Sequence, residues 1–178
     1  MTSFVALLRG INVGGRSLPM AQLRSACTTA GCRDVATYIQ SGNAVFTHPT
    51  LAGHALETAL ERAILETVAL EVPVLVRTAA ELSDIVTHNP FPGTEGTKLA
   101  VWFVRSNEEG ERVARFDTTP YAPETLLVRG REAYMFLPDG QGRSRLLVDL
   151  GKIRPRVTFT ARNWNTVEKL LAMARPLA

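Results

Sequence analysis

Apolar residues follow two periodicities along this chain, one typical of strands and one typical of helices. The run Ser3–Arg9 is apolar at nearly every position, which favours a strand covered on both faces. After it, Pro19 is tolerated in a first helical turn and Gly31 ends a pattern of apolar residues at helical spacing, which are Met20, Leu23, Cys27 and Ala30. A strand followed by an amphipathic helix is therefore predicted.

The next elements complete a β-α-β-β-α-β unit. Strands are predicted at Val35–Gln40 and Ala44–His48, joined by the hairpin signal Ser41-Gly42-Asn43. A helix at Leu56–Val68 and a fourth strand at Val72–Arg77 follow. Thr78 and Glu81 have the spacing of a capping box, which predicts a connecting helix. The proline-rich segment Asn89–Gly93 then breaks the chain, and we place the domain boundary there.

The same order of elements repeats after this boundary. Strands are predicted at Leu99–Arg105, Thr125–Arg129, Glu132–Leu137 and Arg156–Phe159, and helices at Glu109–Phe116 and Ser144–Leu150. A last helix follows, with Trp164, Val167, Leu170, Leu171 and Ala174 on one face. The prediction is an α+β fold of two ferredoxin-like units, residues 1–90 and residues 91–178, with antiparallel sheets and an extra C-terminal helix. Strands that are apolar on both faces disfavour an open RNA-binding sheet with stacking aromatics.

Composition is that of an ordinary globular protein, with 46% hydrophobic and 21% charged residues among 178. No apolar stretch approaches the ~20 residues of a membrane span, and the run Phe4–Leu8 is too short for a signal peptide. Cys27 and Cys32 match no metal spacing, and Cys27 falls on the apolar face of the first helix, which favours a buried thiol over a disulfide. These features predict a cytoplasmic protein that has no membrane partner.

The formal net charge of +3 conceals a polarised distribution. Residues 1–48 carry +3, residues 49–128 carry −6, residues 129–162 carry +5, and the final helix adds +1. Solvated surface charge explains any single residue. The asymmetry as a whole predicts basic surface from both ends of the chain, suited to an anionic ligand.

The glycine-rich, basic loop after the first strand is the clearest candidate for chemistry. It contains Arg9, Gly10, Asn12, Gly14, Gly15 and Arg16. The loop is one substitution from the P-loop pattern, with arginine in place of lysine, but the following hairpin and the lack of a strand ending in a magnesium-binding Asp disfavour an ATPase. A backbone cradle for an anion and a tight turn that needs positive φ are equal alternatives.

Ferredoxin-like topology predicts what lies beside this loop. Because the first and third strands are antiparallel neighbours, Gln40, Ser41 and Asn43 are expected at the same edge as Arg9 and Gly10. The alternative is a plain hairpin turn, for which Gly and Asn are the usual residues.

The second half offers two weaker candidates. Arg143 and Ser144 precede a helix, where a plain N-cap at Ser144 is favoured modestly over an anion site. Arg162 and Asn163 have no evident structural task, because Asn165 with Glu168 has the spacing to cap the last helix.

Five motifs resemble the bacterial "domain of unknown function 1697" family. They are Leu7–Gly15, Tyr38–Asn43, Asn89–Phe91, the Pro-Asp-Gly and Gly-Arg-Ser of Pro138–Ser144, and Arg162–Thr166. The resemblance covers nearly the whole chain. It implies a bacterial cytoplasmic protein with two ferredoxin-like halves, and it implies no established activity.

The favoured hypothesis is a protein that binds an anionic ligand, a nucleotide or a nucleic acid, in a basic cleft between the two halves. One wall of that cleft would be the Arg9–Arg16 loop with Gln40, Ser41 and Asn43, and the other would be Arg143, Ser144, Arg162 and Asn163. The alternatives are an enzyme acting on a phosphorylated small molecule, which lacks a visible general base, and a structural module without a ligand. No metal, cofactor or catalytic residue is predicted, and the chain is expected to be a monomer or a homodimer.

Overall fold

The computed structural model describes residues 1–175. Within them the strands are β1 (Thr2–Leu8), β2 (Arg33–Thr37), β3 (Asn43–His48), β4 (Val74–Thr78), β5 (Leu99–Val104), β6 (Thr125–Arg129), β7 (Glu132–Phe136) and β8 (Phe159–Asn163). The helices are α1 (Met20–Thr29), α2 (Gly53–Val68), α3 (Ala79–Thr87), α4 (Asn107–Ala114), α5 (Arg145–Leu150) and α6 (Trp164–Ala174). In this part of the chain, none of the helices has the length and apolar character needed to cross a membrane.

The strands form two antiparallel four-stranded sheets with the same topology, in the orders β2-β3-β1-β4 and β6-β7-β5-β8. Helices connect β1 to β2 and β3 to β4, and the second sheet is connected in the same way. The predicted duplicated ferredoxin-like fold is therefore confirmed. Helix α3 follows β4 as α6 follows β8, so the extra C-terminal helix is the counterpart of the connecting helix.

Two compact units make up the chain. The first contains residues 1–84 and the end of α6 from Lys169, and the second contains Ile85–Glu168. In the first unit Phe4 and Phe46 stack in a core that also holds apolar side chains of α1 and α2. In the second unit Trp102 stacks on Phe159, with ring centroids 3.7 Å apart. Each unit thus has its own core on the helical face of its sheet.

The central strands are buried on both faces, as their apolar runs predicted. Every side chain of β1 from Phe4 to Leu8 and every side chain of β5 is at most 2% exposed. The faces away from the two helical cores also hold one buried arginine each, Arg77 on β4 and Arg162 on β8. Neither sheet therefore offers an open central face.

The last strand and the last helix both differ from the prediction. Strand β8 begins at Phe159 rather than Arg156 and continues to Asn163, because Phe159 and Ala161 pack into the core while Thr160 and Arg162 lie on the other face. Helix α6 then begins at once, and the Asn163 Oδ1 accepts a hydrogen bond from the Thr166 N–H at 2.9 Å. The predicted cap at Asn165 was wrong, since the helix starts before that residue.

Other bounds move by a few residues. Strand β2 ends at Thr37 rather than Gln40, because its pairing with β3 is irregular and Ile39 has a left-handed φ of 49°. Helix α4 begins at Asn107 rather than Glu109, because the Ser106 hydroxyl accepts a hydrogen bond from the Glu109 N–H at 3.2 Å. The capping box of α3 is confirmed, with Thr78 and Glu81 bonded to each other's N–H groups.

Cys27 and Cys32 are both free and buried, as predicted for Cys27. The hydrogen bond between the two thiols raises the pKa of Cys27 well above its usual value, and burial raises it further. A thiol held protonated in this way is a core residue rather than a nucleophile.

Strand β4 is an outer strand of the first sheet. Carboxylates of α2 cover the backbone edge of β4 that faces away from β1. The Glu57 Oε1 accepts a hydrogen bond from the Val76 N–H at 2.9 Å, and the Glu61 Oε1 accepts one from the Val74 N–H at 2.9 Å. Glu57 is only 2% exposed. These bonds satisfy backbone donors that an outer strand otherwise leaves open.

We expect Glu57→Ala to destabilise the protein by about 1–3 kcal/mol, because the buried Val76 N–H loses its acceptor. Glu57→Gln retains a side-chain oxygen and should destabilise the protein clearly less. Glu66→Ala, at an exposed position of the same helix, should change stability by less than about 0.5 kcal/mol. Urea unfolding followed by circular dichroism measures all three. Equal losses for Glu57→Ala and Glu66→Ala would contradict the edge-capping role.

Candidate anion-binding loop

Residues 9–19 connect β1 to α1, and residues 12–16 form a small exposed hairpin. The Asn12 N–H donates to the Arg16 carbonyl at 2.6 Å, and the Arg16 N–H donates to the Val13 carbonyl at 3.2 Å. Between them Gly14 and Gly15 have φ values of +57° and +83°. Positive φ at both central residues is the geometry of a type I′ turn, which explains the paired glycines.

The Asn12 side chain closes the base of this loop. Its Nδ2 donates to the carbonyls of Leu18 (3.1 Å) and Gln40 (2.6 Å), and its Oδ1 accepts a hydrogen bond from the Leu18 N–H (2.9 Å). One amide therefore joins the two ends of the loop and ties them to the β2–β3 connection. Asn12 has a structural role, and its amide is already used by the backbone.

The predicted proximity of the loop to the β2–β3 connection is confirmed. The Leu8 N–H donates to the Gly42 carbonyl at 2.9 Å, directly beyond the pairing of Leu7 with Asn43. Asn43 is fully buried, and its Nδ2 donates to the Tyr38 carbonyl and the Ser41 Oγ at 3.0 and 2.9 Å. Asn43 thus shapes the turn, whereas Gln40 and Ser41 are exposed beside the loop.

The two arginines of the loop lie near the segment that leads into β4. Arg16 is exposed, and its Nη2 donates to the Glu71 carbonyl. Arg9 is half-buried, and its backbone N–H donates to the Pro73 carbonyl at 3.0 Å. Both are anchored to the fold, and the Arg16 guanidinium keeps its other N–H groups at the surface.

The glycines of the region fall into two classes. A Cβ added to Gly10, Gly14 or Gly15 would meet no atom within 4 Å. A Cβ on Gly42 would lie 2.6 Å from Ile11 Cδ1 and 2.8 Å from Leu8 Cβ. Gly42 is therefore required for packing, while the loop glycines leave open space above the backbone.

This geometry differs from a P-loop, in which the lysine and the following hydroxyl residue begin the helix. Here Arg16 lies in a turn, α1 begins only at Met20, and Pro19 at its N-cap makes no side-chain capping bond. The loop is a projecting turn rather than a phosphate cradle at a helix N-terminus.

In the second unit, the predicted residues occupy different surroundings. Ser144 is 3% exposed and caps α5, its Oγ accepting from the Leu147 N–H at 3.0 Å, while Arg143 is exposed at the end of a single 3-10 turn. This loop lies where β5 begins, because it follows β7 and the Leu137 N–H donates to the Lys98 carbonyl. The glycine-rich loop of the first unit lies where β1 ends, and β1 is the equivalent of β5. The two predicted walls therefore lie at opposite ends of equivalent strands, each within its own sheet.

Arg162 is 6% exposed, and it lies in the strand rather than in a loop. Its Nη1 donates to the Thr160 Oγ1 and to the carbonyl of the preceding residue, Ala161, at 2.7 Å each. Burial lowers the pKa of Arg162 to about 10, so the side chain is still charged at neutral pH. Asn163 is committed to capping α6.

Sequence reasoning missed that Arg77 is the counterpart of Arg162. Arg77 pairs with Val5 of β1 as Arg162 pairs with Val101 of β5, and its Nη1 also donates to the carbonyl of the preceding residue, at 2.9 Å. In both repeats the arginine directly precedes a helix-capping residue, Thr78 or Asn163. That shared order, arginine then cap then helix, was visible in the sequence.

Among residues 1–175, no three His, Cys, Asp or Glu side chains are grouped so that they could hold a metal ion. His48, one of the scattered histidines, is buried and bonded to backbone: its Nδ1 accepts from the N–H groups of Thr50 and Leu51 at 3.2 and 2.9 Å.

The fold and the loop define a duplicated ferredoxin-like α+β protein with a long glycine-rich connection after its first strand. The chain belongs to the family described as "Protein of unknown function (DUF1697)", whose model matches residues 1–134. A solved structure of the conserved bacterial protein SP0830 from Streptococcus pneumoniae is similar over 98% of this chain and 99% of that chain, with a TM-score of 0.72 and 21% identity. At that identity the similarity shows the fold alone. The search of curated proteins gives no match.

We expect Gly42→Ala to cost about 2–4 kcal/mol, because the new methyl group clashes with Ile11 and Leu8 and the residue must hold a left-handed φ. Gly14→Ala meets no atom and should cost only about 1 kcal/mol, the penalty for positive φ. Thermal unfolding of both variants measures the difference. Similar losses at the two positions would show that Ile11 does not hold the loop against the β2–β3 connection.

Proposed function

We propose that the loop Arg9–Ser17 binds a phosphate group of a nucleotide or a nucleic acid. The comparison of the two repeats carries this proposal. Residues 9–19 join β1 to α1, whereas Arg105 and Ser106 alone join β5 to α4 at the equivalent place. The fold can make this connection with two residues, so the remainder of the loop is not required for the architecture. Long ordered loops on a rigid scaffold are the usual carriers of binding function.

The exposed groups of the loop suit an anion. Arg16 offers guanidinium N–H groups at the surface, and arginine binds phosphate through charge-assisted, bidentate hydrogen bonds. The N–H groups of Gly14 and Gly15 donate no hydrogen bond within residues 1–175, and the space beside both residues is open. Exposed Gln40 and Ser41 lie next to the loop, because Asn12 ties it to the Gln40 carbonyl. Backbone amides and an arginine together are a common phosphate-binding set.

The proposed site lies within the first repeat. In the second repeat, Ser144 and Asn163 are used as helix caps and Arg162 is buried in a strand, which leaves Arg143 as the exposed member of that predicted wall. The proposal therefore depends on Arg16 and the loop amides, and Arg9 adds charge beside them.

The experiment is fluorescence anisotropy with a labelled single-stranded oligonucleotide, in competition with a nucleoside triphosphate. We expect Arg16→Ala to weaken binding by roughly 10- to 100-fold, because it removes charge-assisted hydrogen bonds worth about 1.5–3 kcal/mol. The matched control is Arg62→Ala, which removes the same charge from an exposed position on α2 in the same unit. For a nucleic acid, Arg16→Ala should also reduce the slope of log affinity against log salt by about 1.

The outcomes separate the alternatives. If the nucleotide at low concentration displaces the oligonucleotide, the site is one for a small molecule. If the oligonucleotide binds and the nucleotide does not displace it, the site is a nucleic-acid surface. Equal weakening by Arg16→Ala and Arg62→Ala would contradict the proposal, because binding would then follow net charge alone. If neither probe binds and Arg16→Ala only lowers the melting temperature, the loop serves the fold through its bond to the Glu71 carbonyl.

A further inference from the structure

We infer that β6 is a dimerisation strand, which pairs antiparallel with β6 of a second copy of this chain. Strand β6 is an outer strand of the second sheet and has β7 as its neighbour. Its five residues pair with β7 without a register shift, from Thr125 opposite Phe136 to Arg129 opposite Glu132. In a regular outer strand, the N–H and C=O groups of every second residue point away from the sheet, where another strand can bind them.

Two other sheet edges of the protein are covered or irregular, whereas the edge of β6 is regular. The edge of β4 is covered by Glu57 and Glu61, and β2 is interrupted by the register shift between Arg33 and Ala36. Within residues 1–175, the backbone of Thr125–Val128 makes no hydrogen bond outside the ladder with β7. The β6 edge is thus regular, and its outward backbone groups are available to another strand.

The side chains of β6 point to the same conclusion. Leu127 lies at the centre of the strand and is 44% exposed, whereas its neighbours Leu126 and Val128 pack against the core. Thr125 and Arg129 share the exposed face with Leu127. An apolar side chain at the centre of a regular outer strand can be buried by a second strand that pairs with that edge.

The sequence of β6 favours a second copy as that partner. A two-fold axis at Leu127 places the two Leu127 side chains against each other and sets each Arg129 opposite Thr125 of the other copy. Parallel in-register pairing would instead place Arg129 against Arg129. Because one short strand buries little area, the dimer is expected to be weak and concentration-dependent.

Sedimentation velocity of the full chain, from low micromolar to near-millimolar concentration, tests this inference. The wild type should shift reversibly from monomer to dimer. Leu127→Lys should be monomeric throughout, because two lysines would meet at the axis beside two arginines. Val148→Lys is the matched control, since Val148 is a 61% exposed apolar residue of the same repeat outside β6, and it should dimerise like the wild type.

A charge-swap experiment identifies the partner strand. Leu127→Lys mixed with Leu127→Glu should restore a dimer that contains one copy of each, because lysine then faces glutamate across the axis. Circular dichroism should show both variants folded, as expected for an exposed position. A wild type that stays monomeric at every concentration overturns the inference, and so does a dimer that Leu127→Lys leaves intact or a mixture that does not recover.

Discussion

Three hydrogen bonds of one amide hold the candidate site together. The Asn12 side chain joins the two ends of the glycine-rich loop and ties them to the Gln40 carbonyl, so the loop and the β2–β3 connection form one surface. The antiparallel pairing of β1 and β3 brings these segments close, but pairing alone would leave the loop hinged at its two ends. Asn12 converts a long connection into a short turn whose tip has a defined conformation.

The two repeats solve the same packing problem with the same parts and differ in the lengths of their connections. Each has a central strand buried on both faces, a buried arginine on the last strand, and a capped helix directly after it. Glu57 covers one strand edge in the first repeat, and in the second repeat Glu109 accepts from the N–H groups of Arg105 and Thr158. Against this shared background, the long β1–α1 connection belongs to the first repeat, whereas the second repeat has its long connection between α4 and β6.

Periodicity predicted the topology because hydrophobic spacing and turn residues are local properties of the chain. It could not place Arg162, because the predicted strand ended at Phe159, and only the pairing of β8 with β5 shows that Arg162 lies in a strand and is buried. The predicted neighbours of the loop were correct because topology determines which strand ends meet. Which polar side chains remain at the surface depends on hydrogen bonds over long sequence distances, such as Asn12 to Gln40, and spacing carries no information about these.

Glycine has two physical uses in this region, and the difference bears on function. Gly42 is needed because Ile11 and Leu8 occupy the space that a side chain would fill, so packing is the reason for glycine at this position. A side chain at Gly10, Gly14 or Gly15 would begin in open space, and the positive φ values of these residues set the path of the loop. Asparagine also adopts such φ values, as Asn12 does at +54°. In place of one of these glycines, however, asparagine would add a side chain above the backbone. Glycine at these places leaves the space beside the backbone amides open, and the proposed binding of a phosphate depends on that space.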